Sequence, residues 1–254
     1  GKGYDKKKVL SGAPDGARKE TQILRKWLTR YVCESENLDF KKALAKEIKF
    51  FLLKWAKAEA FMKTRKNNSD TYCCIQDGVL NMNYNMSDFL TAYLVVTRDF
   101  PDDPNNEKII IDWVKKYMKK YGNRHFKKDS VGQFFNQHAI LRDYLNLKIA
   151  ILTNDNKLFA LAAKRALIFL AQSTPEGVYP YTAVRGQKAT FYNHEAMNDY
   201  THLLEVLRAQ DYNFYNFELA GRSYIKNAEF LMGVWMNYDC AKGFTYENYT
   251  NVKL

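Results

Sequence analysis

The chain has 254 residues, of which 46% are hydrophobic and 15% aromatic, so it can bury a sizeable core without disulfides or metals. Lysine and arginine exceed aspartate and glutamate by 39 to 28, and the formal charge of +11 favours polyanionic partners such as nucleic acid, an acidic polysaccharide or a membrane surface, without choosing among them. No run of about 18 apolar residues occurs, so we expect no membrane-spanning helix. We also expect no membrane partner.

Apolar residues recur at helical spacing along most of the chain, and strand-like alternation is scarce. Residues 1–20 are expected to form an irregular arm, and the first strongly patterned helix lies at residues 44–61, with lysines on its outer faces. Ser87 and Asp88 can cap a helix that runs to Thr97. Further helices are predicted around residues 109–122, at 133–152 and 157–172 on either side of the polar turn TNDN, and at 194–209 and 217–238.

These helices indicate one all-α domain over residues 1–254, built from antiparallel helical hairpins. Periodicity alone leaves open whether the hairpins stack as a bundle, a solenoid or a ring. Four tryptophans lie on apolar helical faces and are expected in the core: Trp27, Trp55, Trp113 and Trp235. The surplus tyrosines are the better candidates for lining a cleft, and we single out Tyr144, Tyr179, Tyr181 and Tyr200.

Neither the cysteines nor the histidines are spaced like metal ligands. We therefore expect no metal and no other cofactor. The four cysteines are Cys33, Cys73, Cys74 and Cys240. Because adjacent cysteines are awkward partners for each other, one of Cys73 and Cys74 is expected to pair with Cys33 if the compartment is oxidising.

Two polar clusters lie beside apolar helical faces. The first is the sequence NQH at residues 136–138, at the start of a helix. The second comprises Arg185, Tyr192 and His194, where a loop leads into a helix. Each cluster has an ordinary structural explanation, since buried polar side chains need hydrogen-bond partners. The first fits a helix cap with one satisfied core histidine, and the second fits a surface arginine followed by a core tyrosine.

Together the clusters offer an amide, an imidazole, a guanidinium and a phenol, without an obvious carboxylate pair or nucleophile motif. This set suits β-elimination from a uronic acid. An arginine and a side-chain amide can neutralise the substrate carboxylate, which makes the proton on the neighbouring carbon acidic. A base then removes that proton and an acid protonates the departing glycosidic oxygen. A tyrosine beside positive charge can serve in either role.

The segment VYPYTAVRGQKATFYNHEAM, at residues 178–197, resembles a motif of the mannuronate-specific alginate lyase family of polysaccharide lyases. Five residues stand at the matching spacing: Pro180, Arg185, Gly186, Ala189 and Tyr192. The sequence NQH is similar to the family's N-N-H helix start. LLKWAKAEAF at residues 52–61 and RAQDYNFYNF at residues 208–217 are similar to its early tryptophan-containing helix and a later turn, so the resemblance spans about residues 40–220.

The resemblance implies a fold, an incomplete α/α toroid with a deep cleft, and a reaction that needs no metal. It implies that His138 is the catalytic histidine. Tyr192 would be the catalytic acid and, for mannuronate, also the base. Arg185 would neutralise the substrate carboxylate.

Three departures from the family pattern bear on the substrate. Gln137 stands where the family has asparagine, and it carries the same amide on a longer arm. Thr182 replaces a glutamate, and Phe191 replaces the histidine just before the tyrosine. These changes leave the sugar open among mannuronate, guluronate and glucuronate.

The sequence therefore predicts a secreted or periplasmic, monomeric lyase that cleaves an anionic uronic-acid polysaccharide, with alginate or polymannuronate as the first candidate. Further substrate contacts are expected at Asn136, Tyr144, Tyr179, Tyr181, Lys188 and His194. The alternatives are a non-catalytic uronan-binding toroid and a glucuronan-type lyase. A nucleic-acid-binding protein would rest on charge and aromatic content alone, so we expect no nucleic acid partner.

Overall fold

The structure of the protein, a computed structural model, describes residues 15–34, 36–62, 72–122, 137–183 and 188–237. For the helical residues 15–19, 72–81 and 137–138, the structure describes the backbone but not the side chains. The chain divides into two compact units, residues 1–124 and residues 125–254. Among the described helices, none combines the length and the apolar character that a membrane crossing requires.

The described part of the first unit is mainly helical. Its helices are α1 (Asp15–Cys33), α2 (Leu38–Lys57), α3 (Tyr72–Asp99), α4 (Pro104–Tyr117) and a π-helical turn at Met118–Gly122. The side chain of Asn37 caps α2 by accepting a hydrogen bond from the backbone nitrogen of Phe40 at 2.9 Å. Asp103 caps α4 in the same way, and Pro104 occupies the first helical position, where its missing N–H costs nothing.

Two predicted boundaries in this unit are wrong. The irregular arm was predicted to reach residue 20, but α1 begins at Asp15, and residues 1–14 lie outside the described part of the chain. The helix predicted to start at Ser87 begins earlier, so Ser87 and Asp88 lie inside α3 and cap nothing. The Oδ2 atom of Asp88 instead accepts a hydrogen bond from Nε of Arg25, on α1, at 3.0 Å. Because Arg25 is 63 positions away, the local sequence could not show that it is the partner of Asp88, and a helix cap was predicted instead.

An aromatic cluster forms the centre of the first unit. Phe61 stacks on Trp113 with ring centroids 6.2 Å apart, and the ring of Trp55 meets that of Phe89 edge-on at 4.9 Å. The indole nitrogen of Trp113 donates to the carbonyl oxygen of Ala60 at 2.8 Å, which satisfies its polar atom inside the core. The core position predicted for Trp113 is confirmed.

The described part of the second unit contains α5 (Gln137–Thr153), α6 (Asn156–Ala171), the short α7 (Pro180–Ala183) and α8 (Ala189–Arg208), followed by strands β1 (Glu218–Leu219) and β2 (Arg222–Ser223) and helix α9 (Tyr224–Met236). The predicted turn TNDN does separate α5 from α6. There Asn154 adopts a positive φ of 52°, and Asp155 caps α6 by accepting from two backbone N–H groups. Helix α8 packs against α5, α6, α7 and α9, so it lies at the centre of this unit.

The buried stripe of α8 supplies much of the second unit's core. Its apolar members recur at helical spacing: Ala189, Ala196, Met197, Tyr200, Leu203, Leu204 and Leu207. They meet Ile140 and Leu147 of α5 and Phe169 of α6. The Tyr200 hydroxyl donates to the carbonyl oxygen of Ala166 at 3.2 Å. Tyr200 is therefore a core residue, and its predicted place in a cleft lining is wrong.

The helix predicted over residues 217–238 begins with a hairpin instead. Glu218 pairs with Ser223 and Leu219 with Arg222 in antiparallel register. The two turn residues between the strands, Ala220 and Gly221, both have positive φ, as the right-handed twist of a two-residue hairpin requires. Helix α9 starts only at Tyr224.

Cys33, at the C-terminal end of α1, is exposed and is a free cysteine. The disulfide predicted between Cys33 and one of Cys73 and Cys74 is therefore wrong. The side chains of Cys73 and Cys74, and all of Cys240, lie outside the described part of the chain.

Replacing Gly177 with alanine should destabilise the second unit. Gly177 precedes the buried segment of Val178 and Tyr179 and has a φ of +94°, which L side chains rarely adopt. A Cβ atom there would lie 2.2 Å from the carbonyl oxygen of Lys226, a backbone atom of α9. Strain in φ alone costs about 1 kcal/mol, and the backbone clash adds to it. We expect the loss to exceed about 2 kcal/mol and the thermal midpoint to fall by at least about 4 °C.

The matched control is Gly233→Ala, inside α9, where a Cβ atom meets nothing within 4 Å. Alanine is the better helix former, so this variant should gain up to about 1 kcal/mol. Thermal unfolding followed by circular dichroism compares the two variants. Equal midpoints would contradict the role given to Gly177.

Candidate active site

The structure describes some of the predicted catalytic residues completely, others only in their backbone, and others not at all. Gln137 and His138 form the start of α5, and their backbone is described while their side chains are not. Arg185 lies outside the described residues, as does Asn136. Tyr192 is described in full, including its side chain.

Tyr192 lies in the first turns of α8 and is half-buried. Its ring meets the ring of the preceding Phe191 edge-on, with centroids 5.4 Å apart. Phe191 is 59% exposed, so this end of the helix presents aromatic surface to solvent. The buried stripe of α8 includes Ala189, Ala196 and Asp199, and Tyr192 lies at the edge of that stripe. A phenol at such an edge can pack its ring on the protein while its hydroxyl stays within reach of a ligand.

Helix α5, which begins with Gln137 and His138, packs directly against α8. The ring of Tyr144 on α5 stacks on the ring of His202 on α8, with centroids 5.5 Å apart and planes 21° apart. His202 lies ten positions after Tyr192 in the sequence, which is about 80° around the helix and about 15 Å along it. The edge of α8 that bears Tyr192 is therefore close to the edge that faces α5.

Two lysines lie on or beside these helices. Lys148 is buried on α5 and its Nζ atom lies 3.4 Å from the centroid of the Tyr144 ring, a cation–π contact. Lys188 is exposed and directly precedes α8. The N-terminal end of α8 adds the partial positive charge of the helix dipole, about half an elementary charge. Lys188 and the start of α8 therefore favour an anionic ligand at this end of the helix.

Tyr179 is in the core and not at a surface. It is 2% exposed, and its ring stacks on that of Phe169 at 4.3 Å. Burial raises the pKa of the Tyr179 hydroxyl well above its ordinary value, so this phenol keeps its proton at neutral pH and does not act as a base. We therefore leave Tyr179 out of the candidate site. Tyr181, on α7, is half-buried and stays in it.

His194 lies on a different edge of α8 from Tyr192, because two helical residues are about 200° apart. It is half-buried, and its ring lies 5.2 Å from the ring of Trp235 near the end of α9. Trp235 is 64% exposed, so its predicted place in the core is wrong. The structure thus brings His194 together with Trp235 and not with the Tyr192 edge of the helix.

An ion triad lies inside the second unit, on the helix that carries Gln137 and His138. The Oδ2 atom of Asp143 accepts from Nε of Arg165, on α6, at 2.5 Å. Its Oδ1 atom accepts from Nη2 of Arg142 at 3.4 Å. All three side chains are largely withdrawn from solvent, and burial lowers the pKa of the Arg142 guanidinium. The triad ties α5 to α6.

Sequence reasoning missed one polar pair next to Tyr192. Thr182 on α7 donates to Asn193 on α8, and both are buried. The available signal was the placement of Asn193, a polar residue whose neighbours at helical spacing, Ala189, Ala196 and Met197, are all apolar. A polar side chain within an apolar stripe indicates a buried, hydrogen-bonded group. Within the described residues, no three histidine, cysteine or acidic side chains are grouped as a metal site would need.

The structure is similar to solved alginate lyases. Alginate lyase A1-III from Sphingomonas species A1 superimposes with a TM-score of 0.74 at 17% identity, over 90% of this chain and 60% of that chain. A variant of A1-III with a histidine changed to alanine, complexed with a tetrasaccharide, gives 0.74 at 16% identity, over 91% and 63%. An alginate lyase from Bacteroides ovatus gives 0.50 at 18% identity, over 70% and 45%.

The likeness confirms the predicted fold class, the all-α toroid type. The chain spans about three fifths of the length of the A1-III structures that it matches. No curated protein sequence matches it. The sequence model described as alginate lyase, however, matches residues 5–235, which is most of the chain. The chain belongs to the alginate lyase family.

Proposed function

We propose that this protein is a polysaccharide lyase that cleaves an anionic uronic-acid polymer, alginate or polymannuronate first, by β-elimination. The observation that carries the proposal is the direct packing of α5 on α8. These are the two helices on which the sequence places His138 and Tyr192. Membership of the alginate lyase family agrees with it.

In the proposed reaction, Arg185 and Gln137 hold the carboxylate of the sugar that loses its proton and becomes unsaturated. Neutralising that carboxylate acidifies the proton on the adjacent ring carbon. Tyr192, with His138 as its partner in acid–base chemistry, removes this proton. The electron pair forms a carbon–carbon double bond, the glycosidic carbon–oxygen bond breaks, and the departing oxygen takes a proton from the tyrosine.

The surroundings of Tyr192 support this role. The N-terminal end of α8 and Lys188 supply positive charge at the end of the helix that carries Tyr192, and the chain's net charge of +11 attracts a polyanion over long range.

The spacing of the proposed pair gives further support. Tetrasaccharide complexes of A1-III exist for two variants, one with a histidine changed to alanine and one with a tyrosine changed to phenylalanine. Those two residues are 54 positions apart in that enzyme. His138 and Tyr192 are also 54 positions apart.

The test is to incubate the 254-residue chain with polymannuronate, polyguluronate and glucuronan and to follow the ultraviolet absorbance of the new double bond. We expect the absorbance to rise on polymannuronate and to stay flat on neutral dextran. A rise on glucuronan alone would favour the glucuronan-type lyase. No rise on any uronan would contradict the proposal.

The second candidate is a uronan-binding protein without turnover, and the departures at Gln137, Thr182 and Phe191 favour it. It predicts retention on immobilised alginate with no unsaturated product. We further propose that the chain acts as one catalytic domain over residues 1–254, as a monomer, outside the cytoplasm where uronan polymers are met.

A further inference from the structure

A buried hydrogen bond joins α7 to the first turns of α8. The Oγ1 atom of Thr182 donates to Oδ1 of Asn193 at 3.1 Å and to the carbonyl oxygen of Tyr179 at 2.8 Å. Thr182 is 3% exposed and Asn193 is 4% exposed. Because a hydroxyl carries one proton, the two acceptors share it, and both hold the Thr182 side chain in one orientation.

One end of this link is anchored in the core of the second unit. The ring of Tyr179 stacks on Phe169, whose ring lies 4.9 Å from that of Tyr200. The carbonyl oxygen of Tyr179 also accepts from the backbone nitrogen of Thr182 at 2.9 Å. A helix of four residues has little stability of its own, so the position of α7 is set by this aromatic stack.

The other end of the link lies next to the proposed catalytic tyrosine. Asn193 follows Tyr192 directly, and its side chain points into the buried stripe of α8 while that of Tyr192 lies at the edge. No described residue accepts a hydrogen bond from its Nδ2 atom. Thr182 is therefore the described partner through which this amide is held.

We propose that Thr182 and Asn193 are positioning residues for Tyr192. Their hydrogen bond fixes the rotation and height of the first turns of α8 against the Tyr179 stack, and so fixes where the Tyr192 phenol meets the substrate. Lysine at the N-cap of α8 makes no side-chain capping bond, so the start of this helix has no local capping side chain. Proton transfer depends steeply on geometry, and a displacement of about 1 Å can lower a rate a hundredfold. The inference rests on the proposed lyase function.

The test compares two variants of Thr182 in the full chain. Thr182→Val keeps the side chain's shape and removes the hydroxyl, whereas Thr182→Ser keeps the hydroxyl. We expect valine to lower kcat on polymannuronate at least about tenfold with KM within about twofold of the wild type. Serine should keep kcat within about twofold. A residue that serves stability alone would change the thermal midpoint and leave kcat of the folded enzyme unchanged.

The double variant Thr182→Val, Asn193→Leu separates positioning from stability. Replacing both partners of a buried hydrogen bond with apolar groups of similar shape can be nearly neutral for stability. We expect the double variant to regain the wild-type midpoint and to keep the low kcat. Wild-type kcat in the double variant, or in a folded Thr182→Val, would overturn the inference and leave the proposed function intact. An inactive wild type would overturn both.

Discussion

Replacing Tyr192 with phenylalanine should abolish turnover of the uronan and leave the fold intact. The change removes one oxygen atom from a half-buried side chain whose ring packs on Phe191, so the packing is kept. The proton on the sugar ring then has no acceptor and the departing oxygen no donor. General acid–base catalysis by one side chain contributes about a hundredfold to ten-thousandfold. We therefore expect kcat, measured from the absorbance of the unsaturated product, to fall at least about a hundredfold.

The control for this change is Tyr212→Phe in the same unit. Tyr212 is 52% exposed, and its ring centroid lies 5.5 Å from that of Phe159. Changing Tyr212 to phenylalanine therefore removes an oxygen atom from the protein surface and not from the candidate site. This variant should keep wild-type kcat. If Tyr192→Phe retained half of the wild-type rate, Tyr192 would not be the proton carrier.

Replacing Asp143 with alanine should strongly destabilise the second unit. Asp143 is the carboxylate partner of both Arg142 and Arg165, and all three are largely buried. Its removal leaves two guanidinium groups in the interior without that countercharge. Breaking a buried ion pair from one side costs about 3–5 kcal/mol. In a chain of this size the thermal midpoint should fall by at least about 6 °C.

The control is an exposed ion pair in the same unit. Arg208 donates to Glu205, one turn earlier on α8, at 2.6 Å, and its side chain is 60% exposed. Exposed pairs contribute little because water screens them, so Arg208→Ala should leave the midpoint near that of the wild type. A similar midpoint for Asp143→Ala and Arg208→Ala would contradict the structural role of the triad.

Helices with local boundary signals could be predicted closely. Helix α6, Asn156–Ala171, matches the predicted range 157–172 because Asp155 caps it from the adjoining turn. Helix α8 begins at Ala189, five residues before the predicted start. Its N-cap residue, Lys188, makes no side-chain capping bond, so the sequence carries no capping signal at the true start. The start of α3 was missed because Asp88 resembles a cap locally, whereas its partner Arg25 is 63 positions away.

The sequence predicts which types of residue form the candidate site, but it does not predict which of these residues are exposed. Tyr179 and Tyr181 are two residues apart and look alike in the sequence. Tyr179 is buried because Phe169, on α6, covers its ring, and Tyr181 is only half-buried. Tertiary contacts of this kind decide which tyrosine is exposed. Thr182 and Asn193 likewise gain their importance only from the fold that brings them within 3.1 Å.

The exposed indole of Trp235, near the end of α9, also affects the fluorescence of the protein. Trp113 is 2% exposed and Trp235 is 64% exposed, while Trp27 and Trp55 lie between these extremes. Indole fluorescence shifts to longer wavelength in water and is quenched first where a small aqueous quencher can reach the ring. Since Trp235 contacts His194, two residues from Tyr192, its emission is a local readout of the helix end that carries the proposed catalytic tyrosine.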